Sequence, residues 1–219
     1  MGIYAKLSKF IPLEAKRAIL RRGRSEAEMY WHKRQHMLYY QAVKALVVDL
    51  GNGATSAVDV GSAGCPFLDW LPNAAVRTSV DWGTPYRGHG VNPVKADFLT
   101  WEPDRHYDIV MCLQVLEHIP DARAFAQKLL AVGETVIISV PYKWEPGRVR
   151  THVQDPVDEA KLHSWFDREP NFSYLCREIQ NGAERLIQVY EHGRCGWKAE
   201  RSRNSRHTSA TVKSTIRNR

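Results

Sequence analysis

SAVDVGSAGCP, residues 56–66, joins an apolar run to a loop that carries two glycines. The run Ser56–Val60 reads as a short strand. Gly61 and Gly64 let a backbone approach a ligand closely and take conformations that a Cβ forbids. A strand running into such a loop is the front edge of an α/β nucleotide-binding unit. Two details change that reading. A dinucleotide loop has a third glycine, and here Cys65-Pro66 stands in its place. Asp59, two residues ahead of Gly61, would repel a pyrophosphate but suit a ligand with a positive charge.

Strand and helix signals alternate outward from this stretch. Ahead of it, Ser25-x-x-Glu28 is a capping box, followed by Tyr30, Trp31, Met37, Leu38, Ala42 and Leu46 at roughly helical spacing. Pro12 and Gly23 bound a shorter helix upstream. Behind it, PFLDWL opens a helix with Pro66 in the first turn, and VRTSVDW is a second strand ending in an acid. YDIVMCLQV is a long apolar strand, and DARAFAQKLLAVG is a helix with Asp121 as N-cap and Gly133 as terminator. ETVIISVPY is the next strand, and DPVDEAKLHSWF is a helix expected to start at Asp155-Pro156. YLCREI and RLIQVYEH flank Asn181-Gly182, which suits a tight or bulged hairpin turn. Strands alternating with helices give a parallel sheet with crossovers, and the hairpin places one antiparallel strand near its C-terminal edge. The expected organisation is a helical lead over residues 1–45, an α/β domain over 46–193 and a basic tail, read as disordered, over 194–219.

In such sheets ligands bind outside the carboxyl ends of the strands. Asp81 ends strand two, 22 residues beyond Asp59, where an acid accepts both hydroxyls of a ribose. Asp97-Phe98, after VNPVKA, can pair an exocyclic amine and cover a ring. Gln114 follows the long central strand and leads into VLEHIPD. Asp-x-Gly-x-x-Gly, the acid ending strand two, KADFL, YDIVMCLQVLEHIPD and VIISVPY stand in one order along the chain. In that order they resemble the motifs of class I S-adenosylmethionine (SAM)-dependent methyltransferases, with the closest match to the small type 11 and 23 members. The match covers residues 56–142, and the terminal hairpin fits the family's antiparallel strand.

The resemblance implies a doubly wound, seven-stranded, mostly parallel α/β sheet with helices on both faces, and SAM as cofactor. It places the turn Gly61-Ser62-Ala63-Gly64 under the methionine part, with Asp59 near the ammonium, acting through water or the loop amides. Asp81 would hold the ribose hydroxyls, Trp82 would lie beside the adenine, Asp97 would take the adenine amine, and Phe98 would offer its backbone. Gln114 would sit near the transferable methyl. The Cys65-Pro66 departure reads as an early helix start.

A sulfonium methyl is already reactive, so the acceptor needs alignment and a base. His118 and His152 are the candidate bases, with Glu117 beside them, because a neutral imidazole suits this task near pH 7. Gln114-x-x-Glu117-His118 also resembles the Glu-x-x-Glu-His metal motif of ubiquinone-pathway and small-RNA 2′-O-methyltransferases. Gln replaces the first acid, and an amide is the weaker ligand for a hard cation, so the metal is left open. Trp31, Arg34 and Tyr39 on the lead, and Tyr142, Lys143, Trp144, Arg148 and His152 after strand five, are candidates for the acceptor site. Their mix of aromatics and cations suits a polar ring or a saccharide, and oxygen is the favoured atom.

The net charge is +7, and residues 194–219 carry all of it, with eight Lys and Arg against Glu200. Residues 1–193 are neutral, which argues against a catalytic face that tracks phosphates. The basic tail is what suggests the rival reading, an RNA 2′-O-methyltransferase, which the neutral body weakens; a non-catalytic SAM-binding regulator is the other rival. The four cysteines form no C-x-x-C pair, and no apolar run reaches the length of a membrane span, so a cytoplasmic protein with reduced thiols is expected.

Overall fold

The structure is a computed structural model that describes residues 25–192. The upstream helix expected between Pro12 and Gly23, Cys195 and the basic tail lie outside the described residues. None of the described helices is long and apolar enough to cross a membrane.

Seven strands form one sheet: β1 (Ser56–Val60), β2 (Val76–Asp81), β3 (Val91–Lys95), β4 (Tyr107–Leu113), β5 (Gly133–Pro141), β6 (Phe172–Arg177) and β7 (Glu184–Glu191). Their order is β3-β2-β1-β4-β5-β7-β6. β1 pairs with β2 and β4 in parallel, as do β2 with β3 and β4 with β5. β7 runs antiparallel to both β5 and β6, so it is the single reversed strand. The Asn181-Gly182 hairpin expected from the sequence makes that reversal, with the positive φ at Gly182 (+65°).

Helices cover both faces. On one, α2 (Leu38–Leu50) packs Tyr39, Tyr40, Val43 and Val47 against Ala57, Ile109, Met111, Ile137 and Ile187. On the other, α3 (Ala122–Val132) and α4 (Glu159–Phe166) cover Val58, Val60, Val110, Cys112, Val136 and Ile138. Ala57 and Val58 face opposite ways because side chains alternate along a strand. Both faces are thereby dry, which is why β1 and β4 read as near-continuous apolar runs.

Local details depart from the sequence reading. The lead is two helices. α1 (Glu26–Arg34) closes its capping box at Ser25 and Glu28, and the chain breaks before α2 begins at Leu38. α2 also runs to Leu50, beyond the expected boundary at residue 45. PFLDWL forms only a four-residue 3₁₀ turn, Phe67–Trp70, so the early helix start read at Cys65-Pro66 is not formed. VNPVK becomes β3, where Pro93 is tolerated because β3 is the sheet edge. The helix expected to start at Asp155-Pro156 starts at Glu159, and its N-cap is Asp158, whose side chain accepts from Lys161 N at 3.0 Å.

Candidate active site

The strand order reverses between β1 and β4, the point at which open α/β sheets take ligands outside the carboxyl ends of their strands. The expected site residues divide along that edge into two groups.

The first group lies over β1, β2 and β3. Gly61 has φ +79°, and a Cβ on it would meet Val115 Cγ2 at 2.5 Å. A Cβ on Gly64 would meet Ala27 Cβ at 2.6 Å, so α1 rests directly on the loop. Ser62 is buried and binds the loop to the segment after β2. Its Oγ accepts from Gly64 N (3.2 Å), Tyr86 N (3.1 Å) and Ser79 Oγ (3.1 Å). The Asp81 carboxylate does similar work. It accepts from Gly83 N and Thr84 N at 2.7 Å each through Oδ1, and from Ala63 N at 2.9 Å through Oδ2. A carboxylate offers about four acceptor positions, so one stays open on Oδ2.

Asp59 is fully buried beneath the loop, and neither of its oxygens has a hydrogen-bond partner among the described residues. The loop amides expected to serve it are engaged elsewhere, by Val80 O, Asp81, Ser62 Oγ and Ser62 O. Burial, reinforced by the nearby Asp81 charge, holds its carboxyl well above the usual carboxylate range. Trp82 is 82% exposed at the rim, next to Asp81. Asp97 is also exposed, and its Oδ1 accepts from Leu99 N at 2.9 Å. Phe98 packs its ring into the core against Phe125 (4.7 Å between centroids), which leaves only its backbone for a ligand.

The second group lies over β4, β5 and β7. Gln114 has φ +59°, and its amide is held at both ends: Nε2 donates to Ser139 Oγ (3.1 Å), and Oε1 accepts from Arg185 Nε (3.0 Å). Ala63, Gln114 and Lys143, three of the four non-glycine residues with positive φ, all follow strand ends on this edge. Such strain gathers where a site must be held in one shape. A 3₁₀ turn, Leu116–His118, then buries Glu117 and turns His118 toward solvent. The Glu117 carbonyl accepts from Val153 N and Gln154 N, which brings the segment after β5 over the turn.

His118 and His152, 34 residues apart in the chain, meet edge to face with centroids 4.7 Å apart. His118 Nδ1 lies 3.0 Å from Thr151 O, and His152 Nδ1 lies 2.7 Å from Asp155 Oδ2. Both partners are acceptors, which assigns a proton to each Nδ1 and leaves each Nε2 with a free lone pair. Burial lowers the His118 pKa, and the neighbouring His152 adds to that effect. Burial also pushes the Glu117 carboxyl up to about 8. Glu117 Oε1 is 4.0 Å from His118 Nε2, and ligand atoms of Glu117, His118 and His152 all lie within 4.8 Å of one another. Two imidazoles and a carboxylate form a donor set that fits a divalent transition metal, and Asp155 behind His152 is the outer partner such a ligand commonly has. Gln114 is outside this group.

Around it, Trp144 stacks on His152 (5.8 Å) and carries Arg148 over its ring (4.3 Å). Tyr39 lies beneath Arg185 (5.1 Å). The other acceptor candidates have partners of their own, although the Arg34 charge reaches both Tyr39 and Arg185. Trp31 packs edge-on to Tyr40 and Phe67, Arg34 is paired with Tyr30, and Tyr142 donates to Glu159 while Lys143 lies over the Tyr142 ring. Arg185 and Asp155 were not among the sequence candidates. A lone cation opening the apolar run RLIQVYE was the available signal for Arg185, whereas Asp155 was disguised as a helix cap by the proline after it.

This sheet, with its reversed seventh strand and its order turning between β1 and β4, is the fold of the class I SAM-dependent methyltransferases. Solved structures with the same fold include N-methyltransferase NodS from Bradyrhizobium japonicum in complex with S-adenosylhomocysteine (SAH), at 12% identity, TM-score 0.61, over 81% of this chain and 98% of that one. Another is 1,6-didemethyltoxoflavin-N1-methyltransferase from Burkholderia thailandensis, with bound 1,6-didemethyltoxoflavin and SAH, at 18% identity, TM-score 0.57, over 72% of this chain and 79% of that one. The N-terminal domain of EvdMO1, in the presence of SAH and D-fucose, is similar over 68% of this chain and 81% of that one (12% identity, TM-score 0.50). No family model matches the sequence, and neither does any curated protein.

Proposed function

We propose that this protein is a SAM-dependent methyltransferase that transfers a methyl group to a small-molecule acceptor, saccharides included, at oxygen. The observation that carries the reading is the junction at the carboxyl ends of β1 and β2, where the Gly61–Gly64 loop is braced by Asp81 and lies over the unpartnered Asp59. A buried carboxyl with no partner calls for one, and an ammonium is a group that would satisfy it. Similar proteins NodS and the didemethyltoxoflavin enzyme hold SAH, which supports the same cofactor here. The narrower kinship to type 11 and 23 members rests on the sequence motifs.

When bound, SAM supplies an electrophilic methyl on a sulfonium. The chain supplies the rest. The free carboxylate position of Asp81 accepts from ribose hydroxyls, Asp97 takes the adenine amine, and Trp82 covers the exposed ring edge. Gln114, fixed between Ser139 and Arg185, orients the reacting end. His118 Nε2, the more exposed imidazole, takes the acceptor's proton, while His152, tied to Asp155, aligns the acceptor beside it. A second reading is favoured by the convergence of Glu117, His118 and His152 within 4.8 Å: these residues hold a divalent cation that orients the acceptor oxygen.

The test is incubation with methyl-labelled SAM and fractionated cell extract, with and without a chelator. Label entering a small-molecule fraction supports the reading, and label in RNA or in no fraction opposes it. Activity unchanged by chelator favours the histidine base. Loss by chelator with recovery on adding Mn²⁺ or Zn²⁺ favours the cation.

A further inference from the structure

Arg185, the second residue of β7, pairs with Pro141 at the carboxyl end of β5 and is 4% exposed. Three groups hold it. Its Nε donates to Gln114 Oε1, and its guanidinium carbon lies 4.6 Å from the Trp144 ring centroid and 5.1 Å from that of Tyr39. Its Nη1 is buried without a hydrogen-bond partner among the described residues, and so is Trp144 Nε1, on the ring that the guanidinium covers.

No carboxylate of the described residues forms a salt bridge with Arg185. Glu178, whose charge reaches it, has both oxygens engaged by Leu38 N and Tyr39 N at the start of α2. Removing a cation from water without a paired anion is costly, and aromatic faces offset only part of that cost. Burial accordingly lowers the guanidinium pKa. A second cation, Arg148, lies over the Trp144 ring as well, so the local charge is further from balance.

We propose that Arg185 Nη1 and Trp144 Nε1 form an anion subsite that selects acceptors bearing a carboxylate. This rests on the methyltransferase reading and names the acceptor class for that site. A guanidinium N–H and an indole N–H beside it offer two donors, a number that suits the two oxygens of a carboxylate, while a phosphate asks for more donors and more charge. The cofactor also has a carboxylate, in its methionine part. The glycine loop belongs to β1, however, and Arg185 stands on β7, with β4 and β5 between them. The subsite is thus on the acceptor side of Gln114.

The test is calorimetric titration of the full chain, first saturated with SAH, using benzoate, its neutral isostere benzamide, and phenyl phosphate. Benzoate is expected to bind about tenfold or more tightly than benzamide, the difference made by one charge-assisted contact. R185M is expected to abolish that preference, W144F to reduce it, and R185K, which keeps the charge, to restore part of it, each on protein saturated with SAH. The proposal is overturned if benzoate does not bind, if acid and amide bind alike, if R185M keeps the preference, or if phenyl phosphate binds best. It is also overturned if benzoate binds the protein alone but not its SAH complex, since the guanidinium then serves the cofactor's carboxylate. Absence of SAH binding to the wild-type protein would refute the methyltransferase reading separately, and the benzoate–benzamide comparison can still be made on the protein alone.

Discussion

Three backbone amides converge on the Asp81 carboxylate and one acceptor position remains, which the proposed function gives to the ribose. On that proposal Asp81→Ala loosens the Gly61–Gly64 loop and removes the ribose acceptor at once. SAH affinity should fall about tenfold or more, measured by calorimetry on a variant shown to be folded by circular dichroism. The proposed base is the neutral form of His118. Burial lowers its pKa from about 6.5, so kcat/KM should hold through neutrality and fall only as pH drops through a value below about 6.5. His118→Ala should lower kcat by about a hundredfold or more while leaving SAH affinity in place.

Glu117 gives a stability test at the same scale. Its folded carboxyl is raised to about 8 by burial, against an ordinary value of 4.5. Between those values the native state binds a proton that the unfolded chain releases, so stability falls as pH rises through that window and levels off above it. In the presence of a chelator, Glu117→Gln should gain thermal stability over wild type as pH rises from 4.5 to 8, and the gain should be absent at pH 4. A flat difference between the two melting temperatures would contradict the burial argument.

At the scale of elements, much of the fold could be read from the sequence because local signals agreed with the tertiary ones. Ser25 and Glu28 cap α1, Asp121 caps α3 and Gly182 turns the hairpin, each as the sequence implies. The break between α1 and α2 could not be read. Met37, the N-cap of α2, makes no side-chain cap, and the amides of Leu38 and Tyr39 are satisfied by Glu178, 140 and 139 residues away. Glu178→Ala should accordingly lower stability by about 2–4 kcal/mol, seen as a fall in Tm, because it strips two charge-assisted bonds from a buried helix start. Asp155-Pro156 failed for the same kind of reason. It has the residue types of a helix start, but the Asp155 carboxylate is taken by His152, and Asp158 does the capping. In the site, residues on the strand-end motifs were legible, whereas Arg185 was not, because its surroundings come from β4, the segment after β5 and α2 together.

Across the whole molecule the sheet divides the work. β3, β2 and β1 carry the acids and glycines that suit a cationic, hydroxyl-rich cofactor, and β4, β5 and β7 carry histidines, tryptophan and arginine that suit an acceptor. α1 bridges toward the glycine loop through Ala27 and Gly64. Residues 25–192 by themselves carry a net charge of −6, the Lys and Arg excess of the chain lying in residues 1–24 and 194–219, outside the described residues. The measurement that tests the central claim most directly is calorimetric titration of the protein with SAH. The account predicts a saturable single-site isotherm that Asp81→Ala weakens about tenfold or more, with NADH giving no comparable binding. The absence of SAH binding to the folded protein, or equal affinity in the folded Asp81→Ala variant, would contradict it.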